Sequence, residues 1–230
     1  AQSAGFIENK GQWTLQVQAK YALPNGMVSF TDNEGRLALI EEKQMHDLVH
    51  EVHDNPEDQV LGTGHTYSMK FGSGFYKTDL YNRQKDYVNY FLGNRPSKWA
   101  TRVGVYRKMM MREVEPGIDV AWEMDKGHLK YTLEVASSAD LASFKIQYGA
   151  VRNLSIEEGK LKIILPNLTV EEQTPYAYQL INNQEIPVEC AFDLVNNSVS
   201  FTVGNYNPDY MLFIDPIVVA STNSGSTVNT

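Results

Sequence analysis

The stretch IDVAWEMDKGHLKYTLEV, residues 118–135, decides the fold. Ile118, Val120 and Trp122 alternate with Asp119, Ala121 and Glu123, the period-two pattern of a strand with one face buried. Asp125-Lys126-Gly127 then supplies turn residues, and LKYTLEV returns, so the segment predicts an antiparallel hairpin. Trp122 stands in the apolar register and belongs in the core between two sheets.

The same grammar runs outward in both directions. VSFTDNEGRLALIEE reads as a hairpin, with strands at 27–31 and 36–41 around the turn Asp32-Asn33-Glu34-Gly35. HTYSMKF (65–71) alternates, and VGVYRKMMMREV leads into the turn Glu115-Pro116-Gly117. FKIQYG, LSIEEGKLKIIL, AYQLINNQEIPVECAFDLV and SVSFTVGNY continue it to the far end. Val, Ile, Thr and Phe are common and Tyr occurs 13 times, a mix that suits strands better than helices. The expected fold is all-β, an antiparallel β-sandwich over residues 1–220, formed as one domain or as two packed lobes divided near 112–126. Residues 221–230, STNSGSTVNT, read as a linker or tail. Helix is confined to one or two turns within 41–54, before Asn55-Pro56, and a single turn at 137–141. Met109, Met110 and Met111 in succession must turn at least one side chain outward on a strand, where it would be free to meet a partner.

The net charge of −8 argues against a nucleic-acid partner, because phosphate binding needs a basic face. No apolar run approaches the length of a membrane span. Cys190 is the only cysteine and sits in the apolar frame VECAFDL, so it reads as a small buried hydrophobe, with no internal disulfide to make. The small residues of AQSAG at the start read as what signal-peptide processing leaves behind. Sequons at Asn153, Asn167 and Asn196 have meaning only in a host that glycosylates.

Candidate chemistry is sparse. His46, His50 and His53 recur at the spacing that would place three imidazoles on one helical face, as a metal site uses. Asp47, Glu51 and Asp54 make the same stretch a solvated polar loop, which is the favoured reading, and no cofactor or metal is expected. Glu123-Met124-Asp125 begins like a paired-carboxylate strand motif, but His128 stands where a third carboxylate would, and Asp125 suits the turn. There is no G-x-S-x-G elbow, and FGSGF (71–75) lacks the lysine and spacing of a phosphate loop. An enzyme is therefore not expected, unless two carboxylates such as Glu123 and Glu134 converge across a cleft. Aromatic residues remain: Trp13, Trp99 and Trp122, with Tyr76, Tyr81, Tyr87, Tyr90 and Tyr106, are resources for a core, a sugar-stacking platform or a protein-binding patch. Trp99, in the turn-rich GNRPSKWATR, is expected to seal one end of the sandwich.

The order of short phrases carries more than their chemistry. FIENKGQW (6–13), NYFLG (89–93), Trp99 and Tyr106 are followed by PGIDV (116–120), GHLKYTLEV, YGA (148–150), AYQ (177–179), GNYN and LFIDP (212–216). This series resembles the N-terminal β-domain of large secreted Bacteroidota proteins, which often continue into β-propeller-type repeats and end in a gliding-motility-associated or type IX secretion sorting domain. The resemblance runs from about Phe6 to Thr222. SSAD (137–140) departs from the PGAD typical of similar proteins, and neither propeller repeats nor a sorting domain occur in this sequence.

The resemblance implies an exported or cell-surface protein, with no catalytic residues to transfer. Its recurrent positions, Phe6, Trp13, Trp99, Tyr106, Trp122, Asp119 and Asp215, look architectural. The function expected is a non-enzymatic scaffold or interaction module for adhesion, gliding or type IX secretion, with a protein partner at the cell envelope. The alternative is a carbohydrate-binding module that stacks exposed aromatics on glycan rings. In FIENKGQW itself, Phe6, Ile7 and Trp13 are expected to anchor the chain in the sandwich, with Glu8 and Lys10 paired to its body and Gly11 permitting the turn.

Overall fold

The computed structural model describes residues 5–40, 64–91, 96 and 99–221. Its organising strand is β7, Ala100–Glu115. β6, Lys77–Tyr90, runs antiparallel along one side of β7, from Arg112 to Ala100. On the other side β1, Phe6–Glu8, pairs with the first half of β7, and β8, Ile118–Asp125, pairs with the second. The sheet therefore leaves β7 in two directions.

One arm continues from β1 into β2 (Ala19–Leu23), β3 (Gly26–Phe30), β4 (Gly35–Ile40) and β5 (Gly64–Phe71). It then takes β10 (Ile146–Gly149), β17 (Ser198–Val203) and β16 (Cys190–Val195). The other arm passes from β8 to β9 (His128–Val135) and forks there. The start of β9 leads to β19 (Ile217–Ser221), β13 (Thr169–Glu172), β12 (Lys160–Ile164) and β11 (Asn153–Glu157). Its end leads to β18 (Leu212–Asp215), β14 (Tyr176–Ile181) and β15 (Gln184–Val188).

The two arms face each other across a shared core. Phe30 and Phe71 of the first meet Trp122 and Tyr131 of the second, with ring centroids 5.2 to 5.6 Å apart. Every pairing is antiparallel, and no α-helix occurs among the described residues. The fold is an all-β antiparallel sandwich. Its main apolar cluster takes residues from Phe6 to Val218, and Trp122, Tyr67 and Tyr131 are its largest fully buried side chains. A second, small cluster of Ile7, Ala100, Val103 and Val105 lies on the opposite face of β1 and β7.

The decisive hairpin turns on Lys126 and Gly127, both at positive φ (48° and 87°), so Asp125 pairs with His128 instead of entering the turn. Gly72 is fixed by contact: a Cβ there would lie 2.0 Å from the Val114 carbonyl oxygen, and its φ is +64°. FGSGF is thus a site of close backbone approach.

The predicted single turn lies a few residues later. A 3-10 turn covers Leu141–Ser143, and the Asp140 carboxylate accepts from the Ala142 N–H at 3.1 Å, so Asp140 caps the turn from its start. Residues 41–54, including the predicted helical turns, lie outside the described residues.

In the methionine run one side chain, Met110, does turn away from the core as expected, but it is not free to meet a partner, since all three are buried. Met109 and Met111 enter the core, where Trp122 Nε1 donates to Met111 Sδ at 3.4 Å. Met110 faces outward, but Lys108 reaches across to Glu134 on one side of it and Arg112 to Asp119 on the other. Long aliphatic stems roof apolar neighbours in this way.

At the chain start, Phe6 enters the main core and Ile7 the small cluster, as alternation requires. Trp13 does not reach the main core. It packs edge-on against Tyr90 at 5.5 Å, with the Lys20 ammonium 4.7 Å over its ring. Asn9 ties the loop together: its amide donates to the Thr14 and Val17 carbonyls, and its carbonyl oxygen accepts from the Gly11 and Trp13 N–H groups. Glu8 accepts from the Gly104 N–H at 2.7 Å and lies 3.4 Å from Lys10 Nζ, while Lys10 donates to the Arg102 carbonyl.

Candidate interaction surface

Register places one set of side chains on the outer face of the second arm. Lys108, Glu123 and Lys130 stand side by side on β7, β8 and β9. Beyond the intervening row of Met110, Ala121 and Thr132, the residues Asp119, Glu134, Phe213, Tyr178 and Pro187 form a row across β8, β9, β18, β14 and β15. The first part of this face is a network of ion pairs: Arg112 to Asp119 at 2.6 Å, Lys108 to Glu134 at 3.3 Å and Lys130 to Asp215 at 2.9 Å. Thr132 Oγ1 donates to the second Asp215 oxygen at 2.6 Å. The opposite charges and these hydrogen bonds hold the Lys130 ammonium above its ordinary pKa, even though burial pulls it the other way.

Glu123 and Glu134 therefore do not form an acid–base pair. Each carboxylate lies beside a lysine, 3.5 Å from Lys130 and 3.3 Å from Lys108 respectively, on a flat sheet face. The face carries charge without convergence.

Beyond the ion pairs the face turns aromatic. Tyr176, Tyr178 and Phe213 stack in a ladder, with centroids 5.6 and 5.1 Å apart and planes within 24° and 15° of parallel. The Tyr176 hydroxyl donates to Glu185 Oε1 at 2.7 Å, which pins the outer end. Leu180, 49 % exposed, extends the strip on the same side of β14. The result is an apolar cluster bordered by paired charges.

Asp119 and Asp215 thus lie on this face as ion-pair acceptors, Asp119 also accepting from the Glu113 N–H at 2.8 Å. Trp122 and Phe6 are core, and Tyr106 sits on β7 with its hydroxyl 3.4 Å from Glu8. Trp99 does not seal the sandwich: it is 46 % exposed and meets Phe91 edge-on at 5.6 Å. Cys190 packs on the core, and burial pushes its thiol up to about 11, away from any nucleophilic role. His46, His50 and His53 lie outside the described residues, and no metal-binding group occurs among those described.

One buried group has no counterpart among the sequence expectations. Glu172, at the end of β13, is fully enclosed in the core. Tyr131 Oη donates to its Oε2 at 2.7 Å, and Tyr148 Oη donates to its Oε1. Tyr148 comes from the first arm and Glu172 and Tyr131 from the second, so the carboxyl joins the two layers. The Tyr67 hydroxyl, also fully buried, has no hydrogen-bond partner and feels the charge of Glu172. Burial raises the Glu172 carboxyl to about 7, although the two tyrosine hydrogen bonds act to lower it. The arrangement is a protonatable clasp.

Residues 6–217 match the family described as Domain of unknown function (DUF7948). The chain belongs to that family. No curated protein and no solved structure matches it. The DUF7948 match begins at β1 and ends where β19 begins, so it takes in the ion-pair network, the aromatic ladder and Glu172 alike. Alternation was the available signal for the last of these: Val170 and Glu172 are both inward on β13, so an inward Glu follows an inward Val at period two.

Proposed function

We propose that this domain is a non-enzymatic interaction module of an exported, cell-surface protein, serving adhesion, gliding or type IX secretion by holding a protein partner at the cell envelope. The observation that supports a protein partner is the cluster of Tyr176, Tyr178 and Phe213, whose near-parallel rings pack together beside the exposed Leu180 and a network of paired charges. An apolar patch rimmed by polar groups suits a protein surface. The export and envelope setting rests on the ordered phrases from FIENKGQW to LFIDP. The module would span residues 1–220, with 221–230 as its linker. Phe91 and Trp99, both exposed, favour the second reading, a glycan-binding module.

A pull-down from an envelope fraction separates the two. Wild type should retain a protein that a Leu180→Ser/Tyr176→Ser variant loses. Equal capture by both, or binding to a glycan panel that a Trp99→Ala variant loses, would overturn the reading.

A further inference from the structure

The charge of the chain is distributed unevenly. Residues 77–112, most of the β6–β7 hairpin, hold nine basic side chains and two acidic ones, a net of +7 in a chain of net −8. Part of this charge is already neutralised, since Lys77, Lys108 and Arg112 pair with Asp79, Glu134 and Asp119. Arg83, Lys85, Arg102 and Arg107 have no carboxylate within ion-pair distance among the described residues.

The strand beside them pairs on one side only among the described residues. β6 has 14 residues and meets only β7, with breaks in register between Arg83 and Tyr87 and between Val88 and Tyr90, and each of its side chains is at least partly exposed. The other single-sided strands are shorter: β11 and β15 have five residues and β16 has six, and β15 carries Pro187, which cannot donate to a ladder. The edge ahead of the first break, from Lys77 to Tyr81 and leading to Arg83 and Lys85, offers N–H and C=O groups, and an extended polypeptide complements both. Phosphates complement only the donors. The aromatic rings on the arm point the same way, because the Arg112 and Arg102 guanidinium groups lie 5.5 and 5.9 Å over Tyr81 and Tyr87. Those faces are taken, so they are not platforms for bases.

We propose that the β6 edge accepts an extended acidic polypeptide as an added strand, with Arg83, Lys85, Arg102 and Arg107 supplying the counter-charge. This surface is separate from the aromatic ladder and does not depend on it. Electrostatic complementarity of this kind sets partner choice and encounter rate, and it weakens as salt screens it.

The test uses fluorescence anisotropy with a short labelled peptide alternating Glu and Val, a Lys–Val counterpart and an oligothymidylate. The acidic peptide should bind, the basic one should not, and an Arg83→Glu/Lys85→Glu variant should lose about tenfold or more in affinity, as close complementary charges do. Amide hydrogen exchange on the wild type supplies an independent readout, in which the peptide should slow exchange along β6. Failure of the acidic peptide to bind, tighter binding of the oligothymidylate, or binding that leaves β6 amides unprotected would each overturn the proposal.

Discussion

Tyr148 donates its hydroxyl to Glu172 from the opposite layer of the sandwich, so a single carboxyl links the two arms of the sheet. Tyr131 donates to its other oxygen from within its own layer. Among the described residues no cation is paired with this carboxyl, and the side chains that act on it are tyrosines. Its ionisation in the folded state is therefore disfavoured, and folding is linked to pH through it.

The sign comes from the two pKa values. The folded carboxyl loses its proton at about 7, against 4.5 for an ordinary glutamate. Stability from this group is complete below 4.5 and is lost as pH rises through 7. The difference in unfolding free energy between wild type and Glu172→Gln should shift by about 3 kcal/mol from pH 4 to pH 8, against the wild type. Urea melts across that range check it, and parallel curves for the two proteins would remove the linkage.

Trp122 meets Phe30, Phe71 and Tyr131, and its indole N–H is satisfied by Met111. Trp122→Ala should destabilise the fold by roughly 3–5 kcal/mol, the cost of emptying a large aromatic site. A thermal melt equal to that of wild type would contradict its place at the centre of the core.

Two adjacent residues at the chain start should respond unequally. Asn9 makes four hydrogen bonds to loop backbone, and Asn9→Ala should cost about 2 kcal/mol. Lys10 is largely solvated, so Lys10→Met should cost less than about 1 kcal/mol. Denaturant midpoints decide the order, and a larger loss for Lys10→Met would reverse the account of this loop.

Two glycines at positive φ form a similar contrast. Gly11→Ala meets nothing within 4 Å and should cost about 1–2 kcal/mol from backbone conformation alone. Gly72→Ala would add a clash with Val114 and should cost clearly more. Comparable melting temperatures for the two variants would mean that the strand accommodates the added methyl group.

Much of the sandwich is legible in single segments, because alternation is local. The hairpin at 118–135, the buried Trp122 and the strand grammar on either side need only neighbouring residues to be read. Met110 is less legible because its cover comes from Lys108 and Arg112, whose partners lie on other strands. Trp13 is similar: a large indole suggests core, yet Tyr90 is what it meets. The outer face depends on register between β18, β14 and β9, and no local pattern announces that Phe213 falls opposite Tyr178. Glu172 looks in sequence like half of an exposed acidic pair, and only its partners explain why a carboxyl sits in the core.

The uneven charge has a consequence at long range. With +7 confined to residues 77–112, the remainder of the chain carries −15, and Arg83, Lys85, Arg102 and Arg107 gather on one hairpin with no carboxylate paired to them among the described residues. A positive patch of this kind is drawn toward negative potential, most strongly at low ionic strength. Near an anionic surface the β6–β7 hairpin would lead. Orientation on approach is thereby written into the distribution of lysine and arginine along one hairpin.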